Sequence, residues 1–251
     1  MQTLAEYTDW IADGTFYVAP KIFPQSYTIH AVVDLKCVPL IYILAGDKKG
    51  DTYSHILNVM KYYFDQHCPV DTGTVMIDFE KAVMNAFRDS LPGWKVGNCF
   101  FHLCQSVQKN IQRKFKVKYF VDKKTYLGSA TVDSEVRVAP AYPLDFWNHF
   151  DRVLADPEFP RTSNMVEGFH RGFKTRVNRP KPSVQEYVRA VKEQQVLTDF
   201  HLDRLSVGKT PSKRRRTCHT QLHDICSFYS VYSSKLEYLF ALAKYFGNDI
   251  E

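Results

Sequence analysis

The first hundred residues alternate strand-like and helix-like patterns, and this alternation most strongly limits the possible folds. Trp10–Val18 surrounds an Asp-Gly pair and is strand-like. Tyr27–Val33 alternates its side chains as a strand with one buried face does, and Val38–Ala45 is a short apolar run. Because the connections between these segments are tight, the pattern predicts an antiparallel meander of three strands.

Helical and strand-like patterns then follow in turn, and Pro69 and the Pro92-Gly93 pair end the first two helical stripes. The order β-β-β-α-β-α-β-α predicts an α/β fold with a mixed five-stranded sheet and flanking helices. Its last strands are joined through crossover helices and are therefore expected to be parallel. The segments are a stripe over Ile56–Phe64, a strand at Val75–Ile77, a stripe over Val83–Leu91, a strand at Val96–Phe101 and a helix over Leu103–Phe115.

The rest of the chain has a weaker pattern and predicts a helical C-terminal part. Residues 6–115 form the first part of the sheet domain, and 116–160 are expected to be a linking or inserted region of poor order. Residues 161–205 carry two helical patterns, Asn164–Val177 and Val184–Leu205. Residues 206–251 hold a basic run that breaks the chain before a last apolar helix, Ile225–Phe246.

Composition limits where the protein acts. The longest apolar run, Val38–Ala45, is far shorter than the roughly 18 residues of a membrane-spanning helix. The N-terminus lacks the basic and apolar regions of a signal peptide. The six cysteines have scattered spacings, which favours reduced thiols or metal ligands over a disulfide framework. We therefore expect a soluble protein of the cytosol or nucleus without a membrane partner.

The positive charge is concentrated in one stretch. Residues 161–220 contain 14 Lys and Arg against 5 Asp and Glu, whereas the rest of the chain has 19 against 22. Basic stretches with interspersed aromatics often lie along a phosphate backbone, although a solvated helix face has the same composition. The run Lys213–Arg216 fits a nuclear import signal, a phosphate clamp or a solvated loop. The predicted DNA contacts are Arg171, Lys174, Arg176, Lys213, Arg214, Arg215 and Arg216.

Two aspartates occupy special places in the predicted sheet, Asp13 in the first strand and Asp78 at the end of the fourth. This layout resembles the ribonuclease H-like nucleotidyl transferases. Five separated motifs also occur in the order found in Mutator-like element (MULE) transposases, and the chain resembles that family over roughly residues 9 to 200. The motifs are DGTFYVAPKIF (13–23), YTIHAVV (27–33), MIDFEKAVMNAF (76–87), CFFHLCQSVQKNIQ (99–112) and RTSNMVEGFHRGF (161–173).

The resemblance implies a DDE triad on a ribonuclease H-like fold, with Asp13, Asp78 and Glu167 as the three acids. It implies a Cys-x-x-His motif at Cys99 and His102. It further implies two Mg²⁺ or Mn²⁺ ions, DNA at transposon ends and targets as the partner, nuclear localisation and a homo-oligomer. Such a domain cuts a phosphodiester with water and joins the freed 3′ hydroxyl to target DNA.

Local alternatives stand beside these roles. Asp13 precedes a glycine and could be a turn residue, and Glu167 could pair with a helix N-cap at Asn164. If Glu80 and Asp78 extend from one strand they share a face, which makes Glu80 a substitute ligand. His170 lies one turn after Glu167, where it could approach the phosphate or the metals, or remain a surface histidine.

Zinc is not expected. Cys99 and His102 have the spacing of only half a zinc site. A second cluster with an unusual spacing follows the basic run and consists of Cys218, His219, His223 and Cys226. Cys104 is expected to face inward and is a poor further ligand.

Two departures from the family leave more than one function open. The chain begins close to the first catalytic strand, without the family's N-terminal DNA-binding domain, and residues 116–143 are short and polar for the family's helical insertion. The first function is a DNA transposase domain, active or inactivated by truncation. The alternatives are a transposon-derived, non-catalytic nuclear DNA-binding or interaction protein, and a structure-dependent nuclease.

Overall fold

Five strands form one mixed sheet in the computed structural model, which describes residues 2–34, 36–99, 102, 129–130, 137–156, 160–206 and 213–247. The strands are β1 (Asp9–Thr15), β2 (Gln25–Val33), β3 (Lys36–Ala45), β4 (Gly73–Ile77) and β5 (Trp94–Asn98). Their order is β3-β2-β1-β4-β5. The pairs β1–β2 and β2–β3 are antiparallel, and β1–β4 and β4–β5 are parallel. The predicted α/β fold with a mixed five-stranded sheet is confirmed.

Helices flank the sheet on both faces and continue beyond it in the second half of the chain. A short pair of strands, β6 (Ser129–Ala130) and β7 (Arg137–Val138), lies apart from the main sheet. The helices are α1 (Gln2–Glu6), α2 (Gly50–His67), α3 (Lys81–Ser90), α4 (Leu144–Trp147), α5 (Phe150–Ala155), α6 (Asn164–Val177), α7 (Val184–Ser206), α8 (Lys213–Ser227) and α9 (Lys235–Gly247), with a 3₁₀ turn at Tyr229–Val231.

One face of the sheet carries the main hydrophobic core. Because side chains alternate along a strand, Trp10 and Ala12 of β1 point to this face, where α2 and α3 contribute Phe64 and Phe87. The indole N–H of Trp10 donates to the carbonyls of Leu4 and Tyr7 at 3.1 and 2.9 Å. The buried ring therefore also fixes α1 against the sheet.

The opposite face carries two smaller clusters and receives α6. Ile11 of β1 and Met76 of β4 pack there against Cys99 and against Val166 of α6. Further along α6, Phe173 packs with Tyr187 of α7. The face opposite the main core is therefore the one on which α6 can bring side chains to the strand ends.

The stretch before α6 is more ordered than the sequence predicts. Phe146 of α4 is 1% exposed and belongs to the main core. Val153 of α5 packs with Leu222 and Tyr245 of α8 and α9. The expectation of a poorly ordered linker is thus wrong for residues 139–156, because their aromatic and aliphatic side chains are anchored in two cores.

The C-terminal part contains two helices where the sequence predicts one. The basic run does not break the chain but begins α8, and the predicted helix Ile225–Phe246 is interrupted after Ser227. The interruption has a local cause at Ser234, whose Oγ accepts the N–H of Glu237 at 3.2 Å. The Glu237 carboxylate accepts the N–H of Ser233 at 2.9 Å. This reciprocal capping starts a new helix at Lys235.

Some predictions fall on parts of the chain that are not described. The helix predicted over Leu103–Phe115 and most of the linker before residue 137 lie outside the described residues. Where the chain is described, no helix combines the length and the apolar character that crossing a membrane requires.

Candidate functional site

Asp13 and Asp78 lie side by side at the carboxyl ends of two parallel strands. Ile11 pairs with Met76 in the β1–β4 register, and each aspartate lies two residues beyond its member of that pair. The two carboxylates therefore lie at the same level, on the face that receives α6. Asp13 is part of β1, paired with Thr28. Its interpretation as a turn residue is thus wrong.

The two aspartates differ in their electrostatic surroundings. Burial raises the pKa of Asp78, and the neighbouring Asp13 carboxylate raises it further, against the opposing effect of His102. Burial also raises the pKa of Asp13, but the contacts with His170 and with the Gly14 N–H outweigh it and leave that pKa below its usual value. The two carboxylates thus differ in pKa: that of Asp13 is lowered and that of Asp78 is raised.

Glu167 reaches this site through His102. The Nδ1 atom of His102 lies 2.7 Å from Asp78 Oδ1, and its Nε2 atom lies 3.7 Å from Glu167 Oε1. The Asp78 carboxylate, followed by the Cys99 thiol, raises the pKa of His102 to about 10. A protonated imidazole therefore lies between the second and third predicted acids.

The alternative role of Glu167 at a helix N-cap is wrong. The N-cap of α6 is Ser163, and Asn164 is the first helical residue. Glu167 is consequently the fourth helical residue, one position beyond the third one that pairs with an N-cap in a capping box. Its side chain remains 35% exposed beside His102.

His170 is only partly exposed and lies beside Asp13, so it is not a free surface histidine. Its Nε2 lies 3.3 Å from Asp13 Oδ2, and the side chain is 13% exposed. His30 of β2 stands next to it, with 6.4 Å between the ring centroids, and its Nε2 is 3.0 Å from Thr28 Oγ1. Each aspartate is therefore accompanied by one histidine, Asp13 by His170 and Asp78 by His102.

Cys99 connects the end of β5 to the start of α6. Its sulfur accepts hydrogen bonds from the Ser163 backbone N–H at 3.2 Å and from the Ser163 hydroxyl at 3.3 Å. The same hydroxyl lies 3.5 Å from His102 Nδ1. The predicted Cys-x-x-His motif thus lies at the site, where it contacts both the helix of Glu167 and the Asp78 carboxylate.

Glu80 lies near the two aspartates and contacts residues other than the histidines. It is the N-cap residue of α3, its Oε1 accepts the Tyr53 hydroxyl at 3.2 Å, and its Oε2 lies 4.0 Å from Lys48 Nζ. Glu80 lines a small cavity of about 150 Å³ together with Asp13 and Asp78. The structure therefore places this substitute acid at the same site but in contact with other partners.

The predicted DNA contacts fall into three groups. Arg171 and Lys174 are exposed on α6 and line a shallow groove. Arg176 donates a hydrogen bond to Gln194 of α7, so the structure assigns it to the packing between α6 and α7. The run Lys213–Arg216 forms the first turn of α8, and its side chains lie outside the described residues.

The second cysteine and histidine cluster lies on α8 rather than in a loop. Cys226 is 5% exposed and packs against Leu222 and Val153, whereas the His223 ring lies 3.4 Å from Ser227 Oγ. The side chains of Cys218 and His219 lie outside the described residues. Cys226 is thus part of a hydrophobic cluster.

The acids of the site have the chemistry of a divalent-cation site, because carboxylate oxygens are the ligands that Mg²⁺ and Mn²⁺ prefer. The Asp13 carboxylate lies close enough to Asp78 to raise its pKa. In the described part of the chain, no group of three or more His, Cys, Asp or Glu side chains is arranged to hold a metal ion. The His102 imidazole separates Glu167 from the aspartate pair.

Two residues of this cluster are missed by the sequence analysis. Ser163 and its neighbour Asn164 are both good N-cap residues, so the sequence does not distinguish them. The structure shows that Ser163 is the N-cap. His30 lies on the same face of β2 as Thr28, which pairs with Asp13. Two polar side chains at alternate positions of a buried strand are the signal that could have identified this one.

Comparison with known proteins supports the resemblance. Residues 10–106 match the family model of the MULE transposase domain. The match contains Asp13, Asp78, Cys99 and His102, and the predicted similarity to Mutator-like element transposases is thereby confirmed over this stretch. A comparison with curated proteins found no match.

Proposed function

We propose that this chain carries the catalytic domain of a DDE-type DNA transposase, which cuts and joins DNA strands at transposon ends. The observation that carries the proposal is the matched position of Asp13 and Asp78 at the ends of adjacent parallel strands. The MULE match over residues 10–106 includes both aspartates and indicates a transposase-related function with DNA as the partner. Glu167 lies outside the match, and His102 lies between it and Asp78.

A ribonuclease H-like fold is part of the proposal. Three antiparallel strands are followed by two parallel ones joined through helices, in the order β3-β2-β1-β4-β5. In the parallel portion of an open sheet, ligands bind at the carboxyl ends of the strands. Asp13 and Asp78 lie at that end, and this placement supports the assignment.

Asp13, Asp78 and Glu167 would hold two Mg²⁺ or Mn²⁺ ions. Ions bound there would supply Lewis-acid activation of the attacking water or 3′ hydroxyl and charge stabilisation of the leaving oxygen. The chain supplies the positions of the acids: β1 and β4 fix the aspartates in register, and the contact between Ser163 and Cys99 fixes the helix of Glu167. His102 lies beside Asp78 and His170 lies beside Asp13.

DNA would be held through its phosphates beside this site. Arg171 and Lys174 are exposed on the helix that carries Glu167. Contacts of this kind position the duplex without identifying its sequence. We further propose that the basic run Lys213–Arg216 directs the protein to the nucleus, and that the protein acts as a homo-oligomer that brings two transposon ends together.

A nicking assay tests the catalytic proposal. Supercoiled plasmid carrying the transposon ends is incubated with the protein and Mn²⁺, and the nicked product is measured. We expect Asp78→Asn to abolish nicking, because the substitution removes a negatively charged ligand while keeping the side-chain shape. The matched control is Asp89→Asn, which changes an exposed acid in the last turn of α3. Equal nicking by both variants would refute the proposal.

A second candidate function is non-catalytic DNA binding by a transposon-derived protein. The position of His102 between Asp78 and Glu167 favours it, because the imidazole separates the acids that would have to share cations. In this case the protein binds DNA in a salt-dependent manner, and the Mn²⁺ assay shows no nicking by the unaltered chain.

A further inference from the structure

Two consecutive aromatic side chains are exposed next to the carboxylate site. Phe16 and Tyr17 follow β1 directly, three and four residues after Asp13. Phe16 is 52% exposed and Tyr17 is 37% exposed. Aromatic side chains usually bury most of their surface, so two neighbouring exposed ones beside a polar site indicate an interaction surface.

Each of these rings makes a cation–π contact with a lysine from another part of the fold. Lys48 Nζ lies 4.1 Å from the centroid of the Phe16 ring, and Lys174 Nζ lies 4.0 Å from that of Tyr17. Lys48 comes from the segment before α2, and Lys174 comes from α6. The surface therefore offers two flat aromatic rings, each with an ammonium group over one of its faces.

The first of these pairs belongs to the same cavity as the acids. Phe16 and Lys48 line the cavity of about 150 Å³ together with Asp13, Asp78 and Glu80. Lys48 Nζ also lies 4.0 Å from Glu80, which partly offsets its charge. Because the Phe16 side chain is 52% exposed, a planar ligand bound at this pair can lie on the exposed part of its ring.

We propose that Phe16 and Lys48 bind one unpaired nucleotide of the DNA strand that enters the carboxylate site. Phe16 stacks on the base through the ring face that Lys48 does not cover, and Lys48 contacts the adjoining phosphate. A nucleotide combines a flat π surface with a negative charge, and both match what this pair presents. Tyr17 and Lys174 offer a second position of the same kind further along the strand, where Arg171 lines the shallow groove.

This inference rests on the proposed function for the identity of its ligand, and it adds a property that the acids alone do not require. A site built from stacking and phosphate contacts prefers unpaired bases but tolerates any sequence. The strand near the cut is therefore expected to be unpaired when it is bound.

Fluorescence quenching tests the inference without relying on cleavage. The probe is a short single-stranded DNA that contains one fluorescent adenine analogue, titrated with the full chain in EDTA. Stacking on Phe16 should quench the analogue. Phe16→Ala should remove this quenching and weaken binding about tenfold, whereas Phe16→Trp should retain both. Lys48→Gln should keep the quenching but lower the salt slope by about one ion.

Ile22→Ala is the matched control, because it removes another exposed apolar side chain, 74% exposed, from the segment that follows β1. It should leave both quenching and affinity unchanged. Equal losses in the Ile22 and Phe16 variants would overturn the inference, as would equal quenching of a blunt duplex that carries the same analogue.

The outcomes separate this inference from the catalytic proposal. If the unaltered chain nicks DNA with Mn²⁺ while Phe16→Ala still quenches the probe, the nucleotide site is refuted and the proposed catalysis stands. If quenching depends on Phe16 but the chain does not nick DNA, the nucleotide site stands and the catalytic proposal fails.

Discussion

The backbone N–H of Ser163 donates a hydrogen bond to the Cys99 sulfur over 3.2 Å and thereby joins the start of α6 to the end of β5. Both residues are buried, with 2% and 0% of their surface exposed. Burial raises the pKa of the Cys99 thiol, but hydrogen bonds from His102 and Ser163 outweigh this effect and lower it. The Cys-x-x-His motif thus holds the helix of Glu167 in place.

Ser163→Ala should destabilise the protein by about 1 kcal/mol, because the buried sulfur loses the hydroxyl hydrogen bond. The backbone hydrogen bond remains, so α6 should stay in place. Urea unfolding measures the change. The control is Thr175→Ala, which removes an exposed hydroxyl bonded to the Arg171 carbonyl of the same helix. A cost no larger than that of the control would show that the Ser163 hydroxyl does not support the helix.

Acid should destabilise the fold through His30. Burial, followed by the charge of His170, lowers the pKa of His30 from 6.5 to about 3. Since the unfolded state binds the proton more tightly, this stabilisation is complete above the unfolded pKa and is lost as the pH falls towards 3. Between neutral pH and about pH 5, His30 should account for a loss of roughly 2 kcal/mol.

The difference between the unaltered chain and His30→Gln isolates this effect. Gln can keep the hydrogen bond to Thr28 but does not titrate. Urea unfolding at several pH values should show a weaker decline in stability for the variant. Parallel declines in the two proteins would assign the acid sensitivity to other groups.

The sequence predicts the sheet because its signals are local. Alternation along Tyr27–Val33 and the prolines after each helical stripe depend on residues that are close in the chain. The significance of Asp13 and Asp78 comes from the predicted order of elements together with the five family motifs, and the structure places the two residues on neighbouring strands. Predicting the strands and helices needs only the period of the pattern and the position of the breaks.

The features that the sequence does not predict depend on contacts between residues that are distant in the chain. Phe146 enters the main core from a stretch with a weak local pattern, and Ser163 meets Cys99 across 64 positions of sequence. The separation of α8 from α9 depends on the reciprocal bonds between Glu237 and the two serines before it. The sequence pattern predicts a single helix over Ile225–Phe246 because apolar residues continue on both sides of this cap.

Gly97→Ala should destabilise the fold because β5 needs a glycine where the Arg152 guanidinium crosses it. A Cβ atom at Gly97 would lie 1.8 Å from Arg152 Nη2. The buried guanidinium would have to move, at a cost of about 1–3 kcal/mol. Thermal unfolding should show this loss, and Arg152→Ala should reduce the additional cost of Gly97→Ala. Additive costs of the two substitutions would show that they do not interact.

Gly172→Ala is the comparison for this experiment. An added Cβ at Gly172 meets no atom within 4 Å. The residue lies inside α6, where replacing glycine with alanine typically stabilises a helix by about 0.5–1 kcal/mol. The two glycine variants should therefore shift the unfolding temperature in opposite directions.

Purified protein should contain no tightly bound zinc at Cys99 and His102. The pair supplies two of the four ligands of a structural site, and the Cys99 sulfur already accepts two hydrogen bonds from Ser163. Elemental analysis checks the prediction. One zinc per chain that disappears in His102→Ala would contradict it, whereas zinc that persists in this variant would belong to another part of the chain.

Replacing Lys213, Arg214, Arg215 and Arg216 with alanine should weaken DNA binding equally on all sequences. These residues begin α8, and phosphate contacts carry no information about the bases. Binding releases about one counterion from DNA for each phosphate contact. The variant makes fewer such contacts, so its affinity should depend less steeply on salt concentration. Binding titrations at several salt concentrations measure both effects, with Lys61→Ala as a control on an exposed lysine of α2 that pairs with Asp65. An unchanged salt slope together with lost nuclear accumulation would mean that the run acts only as an import signal.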